Sequence, residues 1–324
     1  MLPETGALAS TVTETLQRSL DGLLDGSAYA LVGLGLTFTF GTLRRVNLAY
    51  GAGAMLAAYC GAWLHQRYAV PAVGVLIAVV AVAAALGLYV EWLCFPAARD
   101  VGRDGQREAT RGSAPVSGAD GREVVALASS FAIWMQLEQL AVQLLPQHLN
   151  SFPSLASTSE WSLGPIALRS DRLALALLAV LSVVALDRWL HATRGGLAWR
   201  AAADQRTAAH LVGMAVPRVQ RLAFAAACGL SGLAAFAVLA IDGQVTPMFG
   251  MWVMLKGLVA AMLGGLGSVR GVLAGGLLLG VVEAHAQGLF GAVGREFATF
   301  LLLFAVLVVP LGRGWPRRAE VVGV

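Results

Sequence analysis

The sequence predicts an all-α fold, a polytopic transmembrane helical bundle of eight or nine spans with one candidate for a broken or re-entrant element. Three observations predict it: the composition, the length of the apolar runs and the uneven placement of arginine. The 324 residues are 57% hydrophobic and 13% charged, with a mean hydropathy of +0.71. Soluble domains are typically about 45–50% apolar and about 25% charged. Because so few charged groups cannot cover a water-facing surface of this size, lipid must cover part of it.

Nine apolar stretches are candidate spans, since a spanning helix needs about 20 mostly apolar residues. They cover residues 20–43, 46–64, 70–95, 123–145, 172–190, 222–241, 252–267, 271–290 and 296–311. Only Arg44 and Arg45, directly after Leu43, separate the first two stretches. The second stretch also contains Gly51 and Gly53, and glycine tolerates unusual backbone dihedrals. It is therefore the candidate for the broken or re-entrant element.

The arginines predict the orientation of the bundle. When the basic loop 191–221 is placed in the cytoplasm and the spans alternate from it, 17 arginines fall inside and five outside. Cytoplasmic loops of membrane proteins carry such an excess of basic residues. We therefore expect a multi-pass protein of the inner (plasma) membrane, with its N-terminus outside and its C-terminus in the cytoplasm.

Residues 1–324 are predicted to form a single transmembrane domain with two distinctive cytoplasmic loops. Residues 99–121 are polar and glycine-rich and are predicted to be a flexible insertion. Residues 194–214 are alanine-rich between Gly196 and Gly213, which predicts a helix with a glycine stop. This helix is either a docking element for a partner or an amphipathic helix resting on the membrane.

No motif for catalysis or nucleotide binding is present. The chain contains no glycine–lysine pair, since Lys256 follows Leu255, so a phosphate-binding GxxxxGK[ST] loop is impossible. The five histidines lack ligand spacing with cysteine or carboxylate, and the three cysteines form no paired framework. No basic patch is interleaved with aromatic residues. We therefore predict no enzymatic activity, cofactor, bound metal or nucleic-acid partner.

Polar residues inside the predicted spans are candidates for a transport path, because such residues are costly in lipid and usually face a cavity or another helix. They are Asn47, Gln136, Glu138, Gln139, Gln143, Lys256 and Glu283. Gln136, Gln139 and Gln143 are three and four residues apart, hence on one helical face. This face either lines a polar path or marks a span end near water.

A glycine-rich segment begins at the end of the seventh predicted span. Gly264, Gly265 and Gly267 precede Gly271 and Gly275, and spacings of four produce narrow grooves in which helices pack. The segment is either plain helix packing or a short turn between half-length helices near a translocation path.

Four segments give the chain a resemblance to a known family. They are Asp25–Leu31 with 35–41, Val46-Asn47-Leu48-Ala49-Tyr50-Gly51, the loop from Gly196 to Gly213, and 263–276 with Glu283-Ala284. In these the chain resembles the LivH-type permease subunits of ABC importers for branched-chain amino acids, which belong with urea and short-chain amide permeases. The likeness covers nearly the whole chain except 99–121.

The chain departs from the family pattern in two places. The family's His-Gly-Glu is Tyr50-Gly51-Ala52 here, which removes an ionisable pair and leaves the substrate open. The family's acidic pair in the docking loop is reduced to Asp204-Gln205. Residues 245–250 are as similar to the urea-type branch of the family as to the amino-acid branch. Urea and short-chain amides are therefore the alternative substrates.

The resemblance implies a mechanism and its partners. A soluble binding protein delivers substrate outside, a second homologous permease completes the pore within membrane lipid, and ATP-binding subunits dock inside on 194–214. The predicted substrate path, from the polar residues and the family segments together, comprises Asn47, Tyr50, Gly51, Gln136, Gln139, Gly264, Gly265 and Gly267. The implied ATPase-coupling residues are Arg200, Ala203, Asp204, Ala209 and Gly213.

Two alternatives come from other classes of protein. A self-contained secondary transporter needs an ionisable coupling residue near the bilayer midplane, for which Lys256 or Glu283 could serve. An intramembrane enzyme needs a nucleophile with its base or a metal set, and the sequence offers neither.

Overall fold

The computed structural model describes residues 3–43, 49–94, 118–144, 151–154, 160–163 and 166–308. The first part contains α1 (Pro3–Leu43), α2 (Ala49–Tyr68), α3 (Ala72–Cys94) and α4 (Gly118–Leu144), followed by the antiparallel hairpin β1 (Glu160–Leu163) and β2 (Ile166–Arg169). The second part contains α5 (Ser170–Ala192), α6 (Arg194–Asp204), α7 (Arg206–Leu211), α8 (Val216–Asp242), α9 (Phe249–Gly264) and α10 (Val269–Val308).

The predicted polytopic helical bundle is confirmed. Each of the nine predicted stretches overlaps a helix of the described residues, and the last two share α10. Among the described residues, five helices are long and apolar enough to cross a membrane: the 12–40 part of α1, the 72–93 part of α3, α5, α8 and α10. The shorter α9 is also apolar. The protein is therefore a multi-pass membrane protein.

Hydrogen bonds bring several segments together at one end of the bundle. Gln17 of α1 donates to the carbonyl of Ala167 in β2 at 2.8 Å, and the amide of Ala167 donates back at 3.1 Å. The amide of Phe152 donates to the carbonyl of Gly243 at 3.0 Å, which brings 151–154 to the same end. We call this end the hairpin end, and the opposite end, which carries α6 and α7, the α6–α7 end.

Helix α1 lies at the centre of the bundle. It contacts α5, α6, α8, α9 and α10, and both α1 and α8 are buried along most of their apolar length. Helices α3, α5 and α10 instead expose large apolar side chains, as a surface in contact with lipid requires. A Cβ on Gly26 of α1 would lie 2.6 Å from the carbonyl oxygen of Gly276, so this close crossing with α10 requires glycine.

Helix α2, which contains the predicted break, is continuous from Ala49 to Tyr68. Gly51 does not interrupt it but lies at a crossing, where a Cβ on Gly250 of α9 would be 2.7 Å from the Gly51 carbonyl oxygen. The hydroxyl of Tyr50 donates to the carbonyl of Val32 at 3.3 Å. The first turn of α2 therefore lies inside the bundle, beside the middle of α1.

The irregular element in the described part of the bundle is α10. At Gly291 the backbone has φ 74° and ψ −163°, which is not helical. In a straight helix, Glu283 and Thr299 would lie about 24 Å apart along the axis. Their side chains are hydrogen-bonded instead, so the chain reverses at Gly291 and the two halves of α10 run antiparallel.

The two distinctive loops differ in how far the structure describes them. Residues 99–117 of the predicted flexible insertion lie outside the described residues, and 118–121 form the first turn of α4. The predicted single helix of 194–214 consists of two short helices, α6 and α7, separated at Gln205. Gly213 follows α7 with φ +83°, the left-handed conformation expected of a glycine stop.

Candidate functional site

A cluster of charged and polar side chains lies between α1, α9 and α10. We call Tyr29, Lys256, Glu283, Arg295 and Thr299 the charge cluster. The carboxylate of Glu283, a residue only 2% exposed, accepts hydrogen bonds from Lys256 Nζ and Arg295 Nε, each at 2.9 Å. The Tyr29 hydroxyl donates to Glu283 at 3.0 Å and accepts from Lys256 at 3.0 Å and from Arg295. The Thr299 hydroxyl also donates to Glu283.

The reversal of α10 assembles this cluster. It places Arg295 and Thr299, one turn apart, opposite Glu283 in the first half of the same helix. Burying a charge is costly unless another charge pairs with it, and ionisable groups inside spans are usually functional. Asp25 lies 3.9 Å from Arg295 and offsets the second cation.

A cavity of about 310 Å³, which we call the mouth cavity, lies at the hairpin end and reaches the charge cluster. Its charged lining residues are Arg18, Asp21, Asp25, Arg172, Glu283 and Arg295. The side chains that α1 contributes to the cavity and the cluster follow helical spacings of three, four and four, so they share one face. The guanidinium of Arg172, at the start of α5, contacts the carboxylate of Asp21 at 3.3 Å.

At the opposite end, α6 is held firmly against the bundle. The Thr193 side chain accepts a hydrogen bond from the Gly196 amide at 3.0 Å and so caps the helix. Trp199 is buried and stacks on Phe38 of α1, with ring centroids 4.5 Å apart and planes inclined by 27°. The position of α6 is thus tied to the central helix.

Residues of the predicted ATPase-coupling segment and of the predicted substrate path lie together at this end. Arg200, Ala203 and Asp204 of α6 line a cavity of about 700 Å³ together with Gly267. The structure therefore brings part of the predicted coupling segment next to the glycine-rich turn.

A second, more open cavity of about 840 Å³ lies on α6 and α7 and includes Leu197 and Val212 in its lining. Leu211 and Val212 are each 82% exposed. Ala209, a predicted coupling residue, is instead buried against Ala202. We call the exposed surface formed by Leu197, Leu211 and Val212 the α6–α7 surface.

The glycine-rich segment forms a tight turn between α9 and α10. Helix α9 ends at Gly264, and Gly265 and Gly267 have φ values of +90° and +107°. The amide of Gly271 donates to Ser268 Oγ at 3.1 Å, and a Cβ on Gly264 would overlap the Gly271 backbone. The segment thus shows both close helix packing and a turn, while its place near a translocation path stays a prediction.

The other predicted path residues lie apart from the charge cluster. Gln136 and Gln139 are exposed on α4, which contacts α2 and α3 at the edge of the bundle. Tyr50 and Gly51 are buried at the start of α2. Asn47 lies outside the described residues.

Lys256 and Glu283 are recognisable in the sequence as polar residues within predicted spans, but nothing there indicates that they touch. Arg295 falls in the loop between the last two predicted stretches, 271–290 and 296–311. The available signal was the spacing of Arg295 and Thr299, four residues apart and just after a glycine. Among the described residues, no three His, Cys, Asp or Glu side chains converge in a way that could hold a metal ion.

Comparison with known proteins gives consistent similarities. Residues 19–310 match the family model described as branched-chain amino acid transport system / permease component. The chain is 26% identical to the high-affinity branched-chain amino acid transport system permease protein LivH of Escherichia coli K12, with 92% of this chain and 94% of LivH covered. It is also 26% identical to the corresponding protein BraD of Pseudomonas aeruginosa, with 90% and 93% covered.

Proposed function

The chain belongs to the family of branched-chain amino acid transport system permease components, and we propose that it is the membrane-spanning subunit of an ATP-binding-cassette importer. In this proposal it carries branched-chain amino acids across the inner membrane, and separate ATPase subunits supply the energy. The family is a transport family and not an enzyme family.

The observation that carries the proposal is the α6–α7 surface. Leu211 and Val212 are almost fully exposed, and exposed apolar patches mark interaction sites. The stack between Trp199 and Phe38 presses the apolar side of α6 against the bundle. This favours docking of a partner over an amphipathic helix resting on lipid, because the anchored face is already covered by protein.

The remaining partners follow from this assignment. If ATPase subunits dock at the α6–α7 end, that end is cytoplasmic, in agreement with the arginine distribution. The hairpin end then faces outward, where a soluble binding protein would deliver substrate to the mouth cavity. A second homologous permease would complete the pore against the exposed apolar surface of the bundle, and this is where Gln136 and Gln139 could join the path.

The proposal is tested by placing a charge on the α6–α7 surface. We expect Leu211→Asp in the complete transporter to abolish co-purification of the ATPase subunits, because an aspartate cannot be buried in an apolar contact. Ala209 is unsuitable for this test, since its replacement would disrupt the packing of α7 itself.

Met248→Asp provides the matched control, because Met248 is an exposed apolar residue at the hairpin end. This variant should retain the ATPases, and both variants should insert into the membrane. Normal co-purification of the ATPases with Leu211→Asp would contradict the proposal.

A further inference from the structure

The mouth cavity contains two polar atoms of opposite charge that lack partners. Oδ1 of Asp25 and Nε of Arg172 are both buried and form no hydrogen bond with any described residue. Both residues line the cavity. Buried polar groups are normally hydrogen-bonded, so this acceptor and this donor are available together to a ligand that enters the cavity.

Other contacts hold these two side chains in place. Arg172 is fixed by Asp21, which its Nη1 approaches to 3.3 Å. The second carboxylate oxygen of Asp25 lies 3.9 Å from Arg295, which in turn is held by Glu283. The free acceptor and donor therefore belong to positioned side chains rather than to mobile surface residues.

The charge of the cavity favours a ligand without net charge. The described residues that line it include three arginines and three carboxylates, so their formal charges cancel. An anion or a cation would leave one sign in excess, and a neutral molecule such as urea would offer these two atoms only hydrogen bonds between a charged and an uncharged group. A zwitterion offers an ammonium group to Asp25 and a carboxylate to Arg172.

We propose that the mouth cavity binds the zwitterionic head group of a free α-amino acid, through the Asp25 carboxylate and the Arg172 guanidinium. This inference rests on the proposed function and adds to it a substrate site within the permease itself. It also separates an amino-acid permease from one for urea or neutral amides.

The size and lining of the cavity predict which parts of an amino acid it recognises. Its volume of about 310 Å³ lies near the lower end of the ~300–1,000 Å³ that small-molecule pockets occupy. Gly280, Ala284 and Gly288 supply its apolar lining, and none of the residues that line it carries a large apolar side chain. We therefore expect it to select the head group and to discriminate weakly between leucine, isoleucine and valine.

The first experiment uses the unmodified transporter, assembled with its ATPase subunits in nanodiscs and without the binding protein. Binding of L-leucine is compared with that of L-leucine methyl ester, N-acetyl-L-leucine and 4-methylpentanamide. Each analogue removes one or both charges, and we expect each to bind roughly tenfold or more weakly, the effect of losing one charged hydrogen bond. Equal binding of leucine and the uncharged amide would overturn the inference.

The second experiment uses Asp25→Asn, which keeps the side-chain shape, and Arg172→Gln, which leaves a shorter polar side chain; each removes one charge. We expect Asp25→Asn to weaken leucine binding about tenfold or more while the affinity for the methyl ester, which keeps only the ammonium, falls as well. Arg172→Gln should weaken leucine but not the ester. The control is Asp187→Asn, which removes a carboxylate at the α6–α7 end and should leave leucine binding unchanged.

A lipid with a zwitterionic head group has the same chemistry, so the measurements are repeated in nanodiscs without phosphatidylethanolamine. Leucine binding that persists there supports the amino acid as the ligand. No leucine binding in either nanodisc, with phosphatidylethanolamine retained by the unmodified protein and lost from Asp25→Asn, assigns the cavity to lipid and overturns the inference. Co-purification of the ATPases is measured on every variant, so a failure of the proposed function, which loses the ATPases, is distinguished from a failure of this site, which does not.

Discussion

Phe38 of α1 and Trp199 of α6 stack with their ring centroids 4.5 Å apart, and this contact joins the α6–α7 surface to the central helix. Nine residues before Phe38 on α1 lies Tyr29, a member of the charge cluster, about 13.5 Å away along the helix axis. Because a helix moves as a rigid element, a displacement of α6 would reach the charge cluster through α1. The stack is therefore the structural candidate for the transmission step of transport.

Trp199→Ala should uncouple ATP hydrolysis from uptake. Removing the indole leaves a gap beside Phe38, so α6 can shift without moving α1. We expect the ATPases to remain associated and uptake per ATP hydrolysed to fall by a factor in the roughly 5–150-fold range typical of coupling energies. Uptake and ATP hydrolysis are measured together in proteoliposomes.

Trp199→Phe is the matched control for this prediction, because it keeps an aromatic ring against Phe38 and should retain most of the coupling. If Trp199→Ala transports with the wild-type ratio of uptake to hydrolysis, the stack does not transmit the movement.

Glu283→Gln should strongly destabilise the protein. The substitution leaves Lys256 and Arg295 without the carboxylate that accepts from both, and removing one partner of a buried ion pair costs about 3–5 kcal/mol. We expect a lower Tm in detergent solution. Adding Lys256→Met to this variant should recover part of the loss, because the uncompensated ammonium is then also gone.

The control for the charge cluster is Glu296→Gln, which changes an exposed carboxylate on the same helix and should leave Tm nearly unchanged. Equal Tm values for the Glu283 and Glu296 variants would show that the cluster contributes little to stability.

Gly291→Ala should weaken the reversal of α10. A φ of 74° combined with a ψ of −163° is essentially accessible to glycine alone, and a side chain there costs about 1–3 kcal/mol. The neighbouring substitution Ala292→Ser serves as a control, since it changes an exposed side chain and leaves the glycine at the reversal unchanged. Thermal unfolding of both variants is the measurement, and a Gly291→Ala protein as stable as the wild type would argue against the reversal.

The helices and their class could be predicted from the sequence because hydropathy is a local property. Every predicted stretch overlaps a helix of the described residues. The bounds differ mainly where a helix begins before its apolar run. The candidate functional site could be predicted only in part. Lys256 and Glu283 stood out as polar residues in apolar stretches, but nothing in their spacing, 27 residues apart, indicated that they touch.

The glutamines of α4 are a second example of what the sequence alone does not determine. Gln136 and Gln139 were correctly placed on one helical face, because the 3.6-residue period determines that much. That period does not determine what the face contacts, and in this chain it is exposed. Their place in a path therefore stays a prediction that depends on a second subunit.

The sequence by itself determined that this is a polytopic helical membrane protein, that its arginines are distributed unevenly, and that it lacks a nucleotide-binding loop. These are properties of composition and of neighbouring residues. Only the tertiary structure decided that α2 is continuous, that α10 reverses at Gly291, and that Arg295 returns to Glu283. The physical reason is that a buried carboxylate is stabilised by whichever cations the packing of helices brings to it, and those contacts lie far apart in the chain.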